Sequence, residues 1–126
     1  IIPKMITNKR GKIINIASTL DYRPLSYVGA YSATKAALIQ VTKSPSIELA
    51  RYNICVNALA PGYILTDINR DQLEGETGDL LKNKIPLKRF ATVDELDTII
   101  SMLLNTNNTY MTGAVVAVDG GLSTGL

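Results

Sequence analysis

The chain has 126 residues, 46% hydrophobic and 19% charged, a composition that fits one globular domain with a real core and not a disordered segment. Its 13 basic and 11 acidic residues give a net charge of +2 with no basic stripe, which argues against a nucleic-acid partner. With no histidine and a single cysteine, the usual general base, the usual zinc ligand, a thiolate cluster and an internal disulfide are all removed, and no metal centre is expected.

In chain order, Lys12-Ile13-Ile14-Asn15-Ile16-Ala17 follows Gly11 as a short β-branched run without clean alternation. It predicts a strand buried on both faces, the kind found in parallel sheets covered by helices. A loop with Pro24 and Gly29 follows, and then residues 30–51 carry Ala33, Ala37, Val41 and Ile47 near helical spacing. Pro45 removes one hydrogen bond of that helix at a cost of about 3 kcal/mol, so a kink or break is expected near Thr42. Residues 53–59 predict a second buried strand that holds Cys55 as a small core residue and is ended by Ala60-Pro61-Gly62. Residues 66–90 predict short helical pieces broken by Gly75, Gly78 and Pro86.

Thr92-Val93-Asp94-Glu95 has the form of a capping box, and Leu96, Ile99, Ile100, Leu103 and Leu104 continue it as a helical stripe. Residues 113–118 predict a third strand, turned out by Asp119-Gly120-Gly121. Strands alternating with helices predict an α/β fold with a parallel sheet and right-handed crossovers. No run of 18 apolar residues occurs and no signal-like apolar run opens the chain, so a cytoplasmic protein without a membrane partner is expected. Beginning at Ile1 and not at a methionine, the chain is expected to be a processed, truncated or incomplete product.

Tyr31 and Lys35 stand four apart on the predicted helix, so both side chains leave one face. A phenol ordinarily titrates near pH ~10, and a neighbouring ammonium favours its ionised form, which makes tyrosine usable as an acid/base without histidine. The pair reads equally as part of a solvated helix face. Ser18 follows the first strand, at the carboxyl edge where open parallel sheets place ligands, although a serine there also serves simply as a turn former. Pro61-Gly62-Tyr63-Ile64-Leu65-Thr66 leaves the second strand at the same edge, as a backbone bend or merely as a strand terminator.

Four ordered motifs narrow these choices: Gly11-Lys12-Ile13-Ile14-Asn15-Ile16-Ala17-Ser18; Tyr31-Ser32-Ala33-Thr34-Lys35; Asn57-Ala58-Leu59-Ala60-Pro61-Gly62; and Thr112-Gly113 with Val118-Asp119-Gly120-Gly121. Together they span nearly the whole chain and resemble the short-chain dehydrogenase/reductase family. Within it, the stretch 22–35 is similar to gluconate 5-dehydrogenases and 3-oxoacyl-carrier-protein reductases. The resemblance implies residues 1–126 as a single partial NAD(P)-binding domain, the C-terminal half of a Rossmann-like doubly wound parallel sheet with three strands and crossover helices. The N-terminal half that carries the glycine-rich phosphate turn, and the residue choosing NAD or NADP, is missing from it.

By the same resemblance, Tyr31 is the catalytic acid/base that exchanges a proton with a carbonyl or secondary alcohol while hydride moves to or from the nicotinamide. Ser18 hydrogen-bonds the substrate oxygen. Lys35 lowers the phenol's pKa and, with Tyr31, binds the nicotinamide ribose, while Pro61, Gly62, Ile64 and Thr66 border the nicotinamide. The implied cofactor is NAD or NADP. The implied partners are a small-molecule carbonyl or alcohol substrate and either further copies of the chain or a complementing N-terminal half. The alternative is a truncated, non-catalytic remnant with a structural or oligomerising role, since Pro45 stands where the family has an apolar residue.

Overall fold

A computed structural model describes residues 1–19 and 28–124. The elements in order are α1 (Ile2–Thr7), β1 (Gly11–Ile16), α2 (Gly29–Ala50), β2 (Ile54–Pro61), α3 (Arg70–Leu73), α4 (Glu76–Lys84), α5 (Asp94–Leu104) and β3 (Val115–Val118). The three strands form one sheet in the order β1-β2-β3, and both pairings are parallel. The α/β class and the parallel sheet are therefore as expected, with helices supplying the connections a parallel pair requires. The loop with Pro24 lies outside the described residues.

β2 is the centre of the molecule, buried from Ile54 through Ala60. Alternation along it turns Ile54, Val56, Ala58 and Ala60 onto one face, toward α2, where they form two clusters along the strand. Ile54 and Val56 pack with Leu49 of α2 and with Ile13, and Ala58 and Ala60 pack with Ile39 of α2 and with Ala17. α5 lies against β1, its end sharing with Lys12 and Cys55 the side of the sheet away from α2. Cys55 is buried, as its apolar neighbours implied.

Several boundaries and faces differ from expectation. β1 ends at Ile16 and is only partly buried, because among the described residues it is an edge strand paired with β2 alone and not a covered central one. β2 does not stop at Leu59: Pro61 is its last residue, in register with Val118, and the ladder to β3 tolerates a proline there because the residues that donate to β3 are its even-numbered neighbours, Gly62 among them, which donates to the Val118 carbonyl at 3.0 Å. β3 begins at Val115, two residues later than the apolar run. Gly78 does not break a helix. It is buried inside α4, where a Cβ would come within 1.8 Å of the Leu73 carbonyl oxygen, so only glycine allows α4 to sit so close behind α3.

α2 departs furthest. It runs unbroken for 22 residues through Pro45. Ile39 and Thr42 before the proline and Ser46 and Leu49 after it are all buried, so packing pins both sides of the weak point and outweighs the lost hydrogen bond. Val41, whose carbonyl loses its partner, lies on the solvent side at 57% exposure, and Ile47 is 79% exposed. Ala33 and Ala37 are exposed as well, so the apolar spacing seen in the sequence marks the outer face of this helix and not its core face. α5 behaves as read, with Leu103 buried and Leu96, Ile99 and Ile100 partly so, except that Leu104 is exposed. Of its capping box, the reciprocal half is formed: the Thr92 N–H donates to the Glu95 carboxylate at 2.9 Å.

Candidate active site

The carboxyl ends of β1 and β2 and the turn after β3 converge on a cavity of about 330 Å³ lined by Ser18, Thr19, Val28, Tyr31, Gly62, Tyr63 and Leu122. Ser18 comes from the chain leaving β1. The Ala17 N–H still donates to the Leu59 carbonyl at 2.7 Å, so the ladder continues one residue past the strand and carries Ser18 to the sheet edge, where it is only 6% exposed. Thr19 fixes the next step, its hydroxyl donating to the Pro61 carbonyl at 3.3 Å.

Tyr31 stands in the first turn of α2 and is 46% exposed, with its ring facing the cavity wall. Lys35, one turn on, places its ammonium 5.7 Å from the Tyr31 ring centroid and donates to the Ile16 carbonyl at 2.8 Å. That bond ties α2 to the end of β1, so the side chain one turn above Tyr31 is held by the sheet itself. Lys35 stands behind the phenol and does not line the cavity.

Gly62 is here because nothing larger fits. A Cβ would lie 2.7 Å from the Asp119 Cβ and 2.8 Å from its Cα. Asp119 in turn accepts from the Gly121 and Ser123 N–H groups at 2.9 and 2.7 Å, which fixes the turn that brings Leu122 into the cavity. Beyond Gly62 the chain is held by backbone pairing: the Ala91 N–H donates to the Tyr63 carbonyl at 3.0 Å, and the Leu65 N–H donates to the Ala91 carbonyl at 2.8 Å. Asn69 closes the bend, accepting from the Thr66 N–H at 2.8 Å and donating to the Ile64 carbonyl at 2.9 Å.

Of the residues singled out in the sequence, Ser18, Tyr31 and Gly62 thus meet at one cavity, and Lys35 stands beside Tyr31. Pro61, Ile64 and Thr66 shape the bend but do not line that cavity. Thr19, Val28, Tyr63 and Leu122 do line it and were not singled out. Tyr63 is the most consequential of these. Its ring lies 5.9 Å from Phe90 at a tilt of 57°, and burial pushes its phenol above the usual tyrosine value, so it remains a neutral hydroxyl over the working pH range. An aromatic after Pro61-Gly62 was visible in the sequence, but nothing local to it tells which wall it forms.

Comparison with known proteins decides the family. Residues 1–123 match the family model described as Enoyl-(Acyl carrier protein) reductase. The chain belongs to the short-chain dehydrogenase/reductase family. A 3-oxoacyl-(acyl-carrier-protein) reductase, FabG, of Aquifex aeolicus (strain VF5) is 40% identical over 119 residues, covering 94% of this chain and 48% of that protein. An L-xylulose reductase of Caenorhabditis elegans is 39% identical over 115 residues, 90% of this chain and 46% of that one. Among solved structures, a gluconate 5-dehydrogenase from Burkholderia cenocepacia J2315 in complex with NADP and tartrate superposes with a TM-score of 0.94 at 35% identity, covering 99% of this chain and 49% of its own. The chain spans about half the length of the curated short-chain dehydrogenase/reductase relatives it matches. No helix among the described residues is long and apolar enough to cross a membrane.

Proposed function

We propose that residues 1–126 form the catalytic half of an NAD(P)-dependent oxidoreductase acting on a carbonyl or secondary alcohol, with Tyr31 as acid/base. The observation that carries this reading is the meeting of Ser18, Tyr31 and Gly62 at one sheet-edge cavity, with the Lys35 ammonium beside the Tyr31 ring. Tyr31 transfers the proton to or from the substrate oxygen, Ser18 donates a hydrogen bond to that oxygen, and Lys35 holds positive charge behind the phenol. The donor set suits the nicotinamide end of NAD or NADP: hydroxyls at Ser18, Thr19 and Tyr31, an ammonium at Lys35, and at Gly62 a backbone without a side chain. The nicotinamide, when bound, supplies or accepts the hydride. Pro61, Ile64 and Thr66 would border it from the bend after β2. The relatives named above as reductases and dehydrogenases, and the neighbour solved with NADP, support the same class.

The partner side of the reading is an assembly, either with further copies or with a complementing nucleotide-binding half. The exposed Val41 and Ile47 on α2 support it, since large apolar side chains on an outer helix face favour being covered. Light scattering at micromolar concentration is expected to show a species larger than a monomer, and a strictly monomeric chain would remove the self-assembly branch.

Activity is tested by following NADH and NADPH oxidation with small ketones, using the chain alone and with a separately expressed nucleotide-binding half from a homologous reductase. Tyr31→Phe is expected to lower kcat by about 10²–10⁴-fold with little change in cofactor affinity. Saturable cofactor binding with activity that survives Tyr31→Phe would refute the acid/base assignment. No saturable binding of either cofactor in either setting would favour the structural-fragment alternative.

A further inference from the structure

At the end of the sheet away from Ser18 and Tyr31, a cavity of about 430 Å³ opens between the starts of β1 and β2 and the chain that leaves α5. Its lining includes Lys9, Arg10 and Lys12 and contains no aspartate or glutamate. None of these three cations enters an ion pair among the described residues. The pairs found there join Arg70 to Asp67 and Glu74, Lys82 to Asp79, and Arg89 to Glu95. Three uncompensated positive charges around one concavity focus the local field, because the chain holds them together instead of letting them disperse in solvent.

Lys12 is the anchored member. In register with Cys55, it leaves the same face of the sheet, and its ammonium donates to the Asn108 carbonyl and approaches the Cys55 sulfur at 3.5 Å. An ammonium has three N–H groups, so one remains for a ligand. Arg10, two residues earlier, brings a planar fork that matches two oxygens of a tetrahedral anion, and Lys9 adds a third positive charge to the lining. The rest of the lining is uncharged, with an amide at Asn53 and hydroxyls at Thr106 and Thr109. The volume exceeds what a bare oxyanion needs.

We propose that this cavity binds a small phosphomonoester, its phosphate between Lys9, Arg10 and Lys12 and its uncharged organic part against Asn53, Thr106 and Thr109. The site lies at the opposite end of β1 from Ser18 and stands or falls independently of the proposed oxidoreductase activity.

Calorimetric titration of the full chain with inorganic phosphate and with glycerol 3-phosphate tests it, against sodium chloride at matched ionic strength. Both are expected to saturate a single site, with glycerol 3-phosphate the tighter, and the double variant Lys9→Gln/Arg10→Gln is expected to bind about tenfold more weakly or worse. Lys43→Gln, a cation on the outer face of α2, is expected to bind as the parent does. On the unaltered chain, phosphate is expected to shift backbone amide resonances around residues 9–12 and 53–55. A chloride response equal to that of phosphate, a double variant that binds like the parent, or resonance shifts centred on Ser18 and Tyr31 would each overturn the assignment. Phosphate binding tighter than glycerol 3-phosphate would overturn the organic subsite.

Discussion

β1 and β2 run side by side in one register and are built from similar residues, yet β2 is buried from Ile54 to Ala60 while every residue of β1 keeps some exposure. Each even carries one asparagine. Asn57 of β2 is 2% exposed and uses both ends of its amide, donating to the Met111 carbonyl at 2.9 Å and accepting from the Ala114 N–H at 3.0 Å. Asn15 of β1 makes one side-chain bond, to the Thr42 hydroxyl at 3.0 Å, in a half-buried setting. The difference is one of position in the sheet: among the described residues β2 has a strand on each side and α2 across one face, whereas β1 pairs with β2 alone. An unbroken apolar run therefore identifies a strand of a covered sheet without telling whether it lies at the centre or at the edge.

The largest expected effect follows from that centre. Leu59 is fully buried, and Leu59→Ala is expected to cost about 3–4 kcal/mol through lost transfer energy and the cavity left behind. Ile14 of β1 is in the register position opposite Asn57 but only partly buried, and Ile14→Ala is expected to cost about 1 kcal/mol. Urea unfolding monitored by circular dichroism measures both, and equal costs would break the centre-to-edge contrast.

The asparagines sharpen it. Asn57→Ala leaves the Met111 carbonyl and the Ala114 N–H without their partner, at about 2 kcal/mol, and releases the segment that leads into β3. Asn15→Ala leaves the Thr42 hydroxyl still bonded to the Leu38 carbonyl at 2.8 Å, so about 1 kcal/mol is expected. The same unfolding measurement orders the two. If Asn15→Ala proved the costlier, the edge strand and not β2 would be organising the sheet.

What the sequence told, and what it hid, follows the same division between local and distant causes. α5 was readable because Leu96, Ile99, Ile100 and Leu103 form an ordinary apolar stripe. The orientation of α2 was not, because its buried face includes Thr42 and Ser46, which are admitted by close fit and not by hydrophobicity. A Cβ on Gly113 would lie 2.8 Å from the Ser46 hydroxyl oxygen. Pro61 read as a strand end, and only the pairing with β3 shows that the ladder continues past it through Gly62. In the candidate site, Ser18, Tyr31, Lys35 and Gly62 stand in motifs with short, recognisable spacing. Tyr63 and Leu122 reach the cavity because of where the turns after β2 and β3 meet, a fact with no local signature.

The smallest expected effect lies outside the core, at the solvent-exposed pair of Arg89 and Glu95. Two guanidinium nitrogens of Arg89 donate to the two carboxylate oxygens at 2.7 and 2.8 Å, and the Thr92 N–H adds a third bond at 2.9 Å. The Arg89 hydrogen bonds first, and the Thr92 N–H second, lower the Glu95 carboxyl from 4.5 to about 2. Because the folded value lies below the unfolded one, this contribution is complete above about pH 4.5 and is lost as the pH falls toward about 2. Glu95→Gln removes the titrating group and keeps the other carboxylates, so the stability gap between parent and variant is expected to close across that window, as thermal melts at a series of pH values would record. High salt is expected to narrow the gap at neutral pH, since both partners face solvent. A gap at neutral pH as wide as that of Asn57→Ala would mean that this exposed clamp stabilises the fold as much as a buried, hydrogen-bonded asparagine of the central strand, and would break the contrast between centre and surface.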